Sequence, residues 1–384
     1  MPYIENILTV PAIGGYYTED LAALQANPMP VGERYTAEPM SEGFRRVREV
    51  AEAVSVGLAL DSGQVAWGDC VAVAYSGKAG RDPFFRAEAA LGTIREHVVP
   101  AFEGRPVTTF RELAAELEGL IVTAEVTRPV PPPEPELDEK GQARRAFLTA
   151  PTRLLRDAIG RPEQKRPVET ERVVVRRPLH TAVRYGVSQA LLRAVALARG
   201  VAPAEVICQE WDLAPPEDPV PIHAQSGAAR RRNADKMIAR RIASLPHALI
   251  DDIPKQLGEK GEELVRYVRW LKTRIRALGG ADYRPTIHLD VHGALGEASE
   301  ENLGRVLGHL LSLETAARPY RLRIESPVIM ESRAAQIEAV RTLREYVEFR
   351  DMTVELVVDE WANTLEDIQS FVDAGAGHMI QVKM

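Results

Sequence analysis

Cysteine is scarce: Cys70 and Cys208 are the only two in 384 residues. That argues against a disulfide framework, offers no paired-cysteine motif for zinc, and fits a reducing compartment such as the cytoplasm. Long apolar runs are also missing. None approaches the ~20 residues that a membrane span requires, so no membrane partner is expected. Basic excess is missing too. Lys and Arg number 48 against 55 Asp and Glu, a net charge of −7, which argues against nucleic acid as a partner. The opening "MPYIENILTVPAIGGYY" has no basic segment followed by an apolar one and predicts no secretory leader. No Ser-His-Asp arrangement can be assembled. "YSGKAGRDP" is glycine-rich but lacks phosphate-loop spacing and reads as a surface turn. "ARRRNADKM" reads as a solvated helix start.

What is present is enough apolar residue, 45%, for a sizeable core, and a length that suggests two domains. In residues 1–120 strand and helix signals mix. "VSVGLALDSGQVAWGDC" alternates on both sides of Asp61-Ser62-Gly63, a hairpin signal. "RAEAALGTIREHVVPAF" and "TTFRELAAELEGL" carry apolar residues at helical spacing. A proline-rich, charged insertion then begins near Thr127 and is expected to run extended or disordered to about Arg177. Structure resumes in "HTAVRYGVSQALLRAVALARG", a helix with Gly200 as its stop.

From Pro221 the pattern is regular. "PIHAQS", "HALID", "TIHLD", "RLRIE", "VELVVD" and "HMIQVK" read as strands separated by amphipathic helices. Such alternation predicts a parallel sheet or a (β/α) barrel, here with six strands where a closed barrel has eight. The expected division is an α+β domain over residues 1–215, with the insertion at about 125–175, and an incomplete barrel over 216–384.

Three consecutive strands end in a carboxylate: Asp290, Glu325 and Asp359, separated by 35 and 34 residues. Each step is one βα repeat, so adjacent parallel strands bring the three together at the C-terminal mouth, where barrels build their sites. Converging carboxylates repel unless a cation neutralises them, and hard oxygen ligands suit Mg²⁺. The competing reading makes each acid a helix N-cap. Glu360 beside Asp359 adds an ambiguity: alternation lets only one of the two face inward. Gln381 and Lys383 share one face of the last strand. Lys383 is either a general base opposite the cation or a solvated lysine. His247 is either structural or catalytic, and Gln225 either meets a substrate carboxylate or caps the next helix. His288 shares the parity of Asp290 and should lie deeper. Arg323 shares that of Glu325 and needs an acidic partner.

"GDCVAVAYSGKAGRDP", "HTAVRYGVSQALL", "HAQSG", "NADKMI", "LPHALID", "LDVHG", "LRIESP", "VVDEWANTLEDIQSF" and "AGHMIQVK" together resemble the methylaspartate ammonia-lyase family of the enolase superfamily. The resemblance covers most of the chain outside about 125–175. It implies an α/β fold, with an N-terminal α+β capping domain followed by a TIM-type barrel, in a homodimer. It implies Mg²⁺ on Asp290, Glu325 and Asp359, with K⁺ as a monovalent activator. It implies that Lys383 removes the C3 proton of the small amino-acid substrate L-threo-3-methylaspartate, that ammonia leaves through an enediolate intermediate, and that mesaconate forms. It sets His247 across the substrate, binding a carboxylate and serving the other C3 epimer, with Gln225 and Gln381 as further substrate contacts. Three departures qualify it. Ala74 stands where the family commonly has Gln, which opens the alternative of another superfamily reaction on a related acid. The insertion is unusual. The family pattern also has two more strands after the lysine; without them the sheet keeps an open edge, and the alternative is an inactive fragment that needs a C-terminal partner.

Overall fold

The computed structural model describes residues 1–18, 38, 47–72, 80–129, 170–227, 229–250 and 252–382. These form two units, one of residues 1–117 with 180–384 and one of residues 118–179. Lys383, Ala74 and the centre of the proline-rich insertion lie outside the described residues.

The larger unit starts with a three-stranded antiparallel sheet, β1 (Ile4–Thr18), β2 (Arg48–Leu60) and β3 (Val65–Val71), in that order. The expected turn joins β2 to β3. Gly63 sits at φ 82°, and Leu60 and Gln64 close the turn through a 2.8 Å hydrogen bond.

The smaller unit corrects an expectation. β4 (Ile121–Pro129) and β5 (Thr170–Pro178) pair antiparallel from Ile121 opposite Pro178 to Pro129 opposite Thr170. The flanks of the insertion are therefore strands, and structure resumes before His180. β-branched runs such as Val173-Val174-Val175 have high strand propensity, which the proline-rich composition beside them obscured.

Back in the larger unit, α1 (Thr181–Arg199) runs from His180, whose Nδ1 accepts the Ala182 N–H, to Gly200 at φ 66°. Its buried stripe includes Ala182, Val183, Gly186, Val187, Ala190 and Leu191. The helix lies directly on β3. A Cβ at Gly68 would sit 2.0 Å from the Gly186 carbonyl oxygen, and one at Gly186 would sit 2.5 Å from Cys70 Sγ. Only two glycines allow that approach. Burial there, with Asp69 beside it, pushes the Cys70 thiol up to about 12.

The rest of the unit is a parallel sheet with strands in sequence order. β6 (Ser244–Leu249), β7 (Thr286–Asp290), β8 (Leu322–Glu325), β9 (Glu355–Val358) and β10 (Met379–Ile380) are its five strands. "PIHAQS", expected as a sixth, makes a single parallel bridge, His223 to Ser244, although Ile222, Ala224 and Ser226 all exchange backbone hydrogen bonds with β6. Among the helices between the strands are α2 (Glu262–Leu278), α3 (Leu303–Ala317), α4 (Arg333–Phe349) and α5 (Leu365–Asp373). α2 buries Leu264, Tyr267, Val268, Leu271 and Ile275, the i, i+3, i+4, i+7 stripe of a surface helix.

Strand alternation sorts the side chains into two sets. Ile287 and Leu289 of β7, Ile324 of β8, and Leu356 and Val358 of β9 pack into the helix-covered core. Each such buried side chain contributes roughly 1.5–3 kcal/mol. His288, Asp290, Arg323, Glu325 and Glu355 occupy the opposite parity. Arg323 finds its expected acid there, donating from Nε to Glu355 Oε2 at 2.7 Å.

Candidate active site at the strand ends

Register aligns the first two acids. Asp290 is the Cα partner of Glu325, which is in turn the partner of Val357. Asp359 follows the end of β9. None of the three caps a following long helix. Asn302, Ser332 and Thr364 do that, accepting from the N–H groups of Arg305, Ala335 and Asp367. Asp290 Oδ1 instead accepts the His292 N–H at 3.1 Å.

Glu325 is fully buried. Its Oε2 lies 2.8 Å from His288 Nε2 and 3.1 Å from His247 Nε2, and the same His247 nitrogen is 4.0 Å from Asp290 Oδ2. Burial alone would raise the Glu325 carboxyl, but the two imidazoles outweigh it and hold it down to about 2. Asp290 goes the other way. Burial, then the charge of Glu325, pushes it up to about 7. Two carboxylates this close keep one ionised and make the other readily protonated. Burial also lowers His288, against the pull of Glu325.

His247 reaches the site through a bulge. Pro246 pairs with His288 and Ala248 with Leu289, so His247 is the extra residue, at φ 42°. A bulge re-aims one side chain, here toward the acids.

Asp359 and Glu360 are both buried, contrary to the expectation that one would point away. β9 ends at Val358, so alternation no longer governs them. Asp359 Oδ2 takes a 3.1 Å ion pair from Arg81. Glu360 Oε1 is 3.2 Å from His292 Nδ1, and its Oε2 accepts a short hydrogen bond from the Ser326 hydroxyl. Burial would raise Glu360, but His292 and Ser326 bring it below its usual value. Arg81 belongs to "YSGKAGRDP", expected as a surface turn; of its described residues, the Arg81 side chain is buried, and a Cβ on the neighbouring Gly80 would meet Asn363 and Trp361.

His223 completes the cluster. Its ring lies 4.7 Å from His247 and 4.6 Å from His288, centroid to centroid. Gln225 is exposed on the same segment, and Gln381 is half-buried with its N–H on the Val358 carbonyl at 2.7 Å. Among the described residues, two sets of three ligand atoms lie within 4.8 Å of one another: His247, Asp290 and Glu325, and the three histidines. Asp359 belongs to neither set. Glu325 Oε1 is buried and makes no hydrogen bond. A buried carboxylate oxygen without a donor, beside a second carboxylate, fits a hard cation.

A family model described as the methylaspartate ammonia-lyase C-terminus matches residues 215–384, and its N-terminal counterpart matches residues 3–130 and 156–212. The chain belongs to the methylaspartate ammonia-lyase family. It is therefore related to carbon–nitrogen lyases. It is 39% identical to methylaspartate ammonia-lyase 2 of Carboxydothermus hydrogenoformans over 99% of this chain and 79% of that protein. It is 38% identical to the enzyme of Clostridium tetanomorphum over 99% and 80%. The Citrobacter amalonaticus enzyme, solved with (2S,3S)-3-methylaspartic acid, superimposes with a TM-score of 0.77 at 36% identity, over 100% of this chain and 80% of that one. The Clostridium tetanomorphum β-methylaspartase Mg complex gives 0.73 at 37%, over 99% and 80%. Muconate lactonizing enzyme from Pseudomonas putida, at 13% identity and TM-score 0.54 over 99% and 72%, shares the α/β fold. Among the described residues no helix is long and apolar enough to cross a membrane.

Proposed function

We propose that this chain eliminates ammonia from L-threo-3-methylaspartate to give mesaconate, with Mg²⁺ held by Asp290, Glu325 and Asp359 at the mouth of a TIM-type barrel. The observation that carries the reading is the pair of adjoining strand-end carboxylates, Asp290 and Glu325, with Glu325 Oε1 buried and lacking a donor. Bound there, Mg²⁺ supplies positive charge beside the substrate carboxylate, where negative charge builds as the neighbouring carbon loses its proton. Lys383 takes that C3 proton. The electrons of the C–H bond become the C2–C3 double bond, and the C2–N bond breaks with its pair leaving on ammonia. His247, re-aimed by its bulge, binds a substrate carboxylate and serves the other C3 epimer. Gln225 and Gln381 orient the substrate. Groups fixed on strands need little ordering as the substrate binds. The relatives support this reading: one is solved with Mg²⁺ and another with (2S,3S)-3-methylaspartic acid.

The same reading includes a homodimer in the cytoplasm and activation by K⁺. Purified chain with substrate and Mg²⁺ should raise the ultraviolet absorbance of mesaconate, and faster with K⁺ than without monovalent cation. Folded protein that gives no rise with any 3-methylaspartate epimer overturns the assignment. Light scattering at assay concentration reads the dimer.

A further inference from the structure

Three imidazoles stand side by side next to the acids. His223, His247 and His288 come from three adjacent segments of the parallel sheet, with ring centroids 4.6–4.9 Å apart. One ring nitrogen of each lies within 4.8 Å of the other two. Mg²⁺ takes oxygen ligands, so three nitrogens together are not a site for it. Imidazole suits Zn²⁺ and its transition-metal neighbours.

We propose that His223, His247 and His288 form a three-imidazole site for a divalent transition metal such as Zn²⁺, adjoining the oxygen-lined Mg²⁺ site and sharing His247 with the ligand group there. Zn–N bonds of ~2.0–2.1 Å in a tetrahedral shell require the nitrogens to draw in from their present spacing. That is a side-chain adjustment, since the backbone segments are already hydrogen-bonded neighbours. Three protein ligands leave the fourth position for water. His288 Nε2 meets Glu325 Oε2 at 2.8 Å and His223 Nδ1 meets Ser244 Oγ at 2.9 Å, contacts that hold both rings in place. His223 is exposed while His247 and His288 are buried, so the site is open at one corner. A metal there would withdraw His247 from the substrate, a consequence that rests on the proposed function; binding itself does not.

Co²⁺ reports the site directly, because four-coordinate Co²⁺ absorbs in the visible. The full chain, titrated with Co²⁺ in excess Mg²⁺, should develop one equivalent of such bands. Asp290→Asn should keep them, and His223→Ala should weaken binding at least ~10-fold. His223→Asn serves if the alanine variant fails to fold, with circular dichroism as the check. Absence of the bands, their loss to Mg²⁺, or equal affinity in a folded His223 variant overturns the proposal. No turnover is read, so an active chain can fail this test and an inactive one can pass it.

Discussion

Asp290→Asn should stabilise the metal-free protein while removing the proposed Mg²⁺ binding. Asp290 is pushed from an ordinary 3.8 to about 7 by burial and by Glu325. A raised carboxyl means that the folded state holds its proton more tightly than the unfolded chain does. Stability is then full below the unfolded value, falls as pH rises from about 4 through 7, and stays low above that. Each pH unit is worth about 1.4 kcal/mol, so the rise from 3.8 to about 7 sets an upper bound of about 4 kcal/mol on the penalty at pH 8. Asparagine has the same shape and never ionises, and so avoids it. In EDTA, chemical denaturation should show the variant equal to the parent near pH 4 and more stable by about 2–4 kcal/mol at pH 8. Saturating Mg²⁺ should reverse the order, because a cation that binds only the folded parent stabilises it by mass action. A variant no more stable than the parent at pH 8 in EDTA would refute the account of two competing carboxylates. A variant that still gains stability from Mg²⁺ would refute the ligand assignment.

Other outcomes follow from particular contacts. Gly186→Ala forces a Cβ to 2.5 Å from Cys70 Sγ and 2.6 Å from the Cys70 backbone nitrogen; thermal unfolding should show a loss of about 1–3 kcal/mol, and an unchanged melting temperature would contradict the close approach of α1 to β3. Arg81→Met removes the guanidinium from buried Asp359 and should cost about 3 kcal/mol without metal, much of it recovered in Mg²⁺; equal losses with and without Mg²⁺ would separate Asp359 from the metal. Lys383→Ala should abolish mesaconate formation from the L-threo substrate while leaving Mg²⁺-dependent stabilisation intact, and retained turnover would exclude Lys383 as the base.

Periodicity carried most of the fold. Apolar residues at helical spacing located α1 and set amphipathic helices between the strands, and parity along β7 and β8 put His288, Asp290, Arg323 and Glu325 on one face. Failures came where a local rule stopped applying. Alternation could not place Asp359 and Glu360, because β9 ends one residue earlier. It could not aim His247 either, because the bulge inserts that residue between two paired neighbours. Arg81 is 278 residues from Asp359, and nothing in a glycine-rich turn announces a partner at that distance. His223 did leave a signal. It shares parity with Gln225 in "PIHAQS", and a histidine two residues before a proposed substrate contact belongs on the same face of the segment.

The charges around the strand ends are matched unevenly, and that unevenness favours Asp290 as the place for the proposed cation. Asp359 has the Arg81 guanidinium, Glu360 has His292 and Ser326, and Glu325 has two imidazoles. Asp290 has a backbone N–H at 3.1 Å, and its closest imidazole nitrogen in an ion-pair contact, that of His247, is 4.0 Å away. It is also the carboxyl driven up to about 7. A divalent ion therefore gains most beside Asp290, where it removes the repulsion from Glu325. Asp359 already holds a cation of its own, so Mg²⁺ on Asp359, as proposed, would either share that carboxylate with Arg81 or displace the guanidinium. Because Arg81 follows directly on Gly80, where a Cβ would meet Trp361 and Asn363 in the loop after β9, the proposed metal binding and the position of Arg81 would be coupled through the Arg81–Asp359 ion pair.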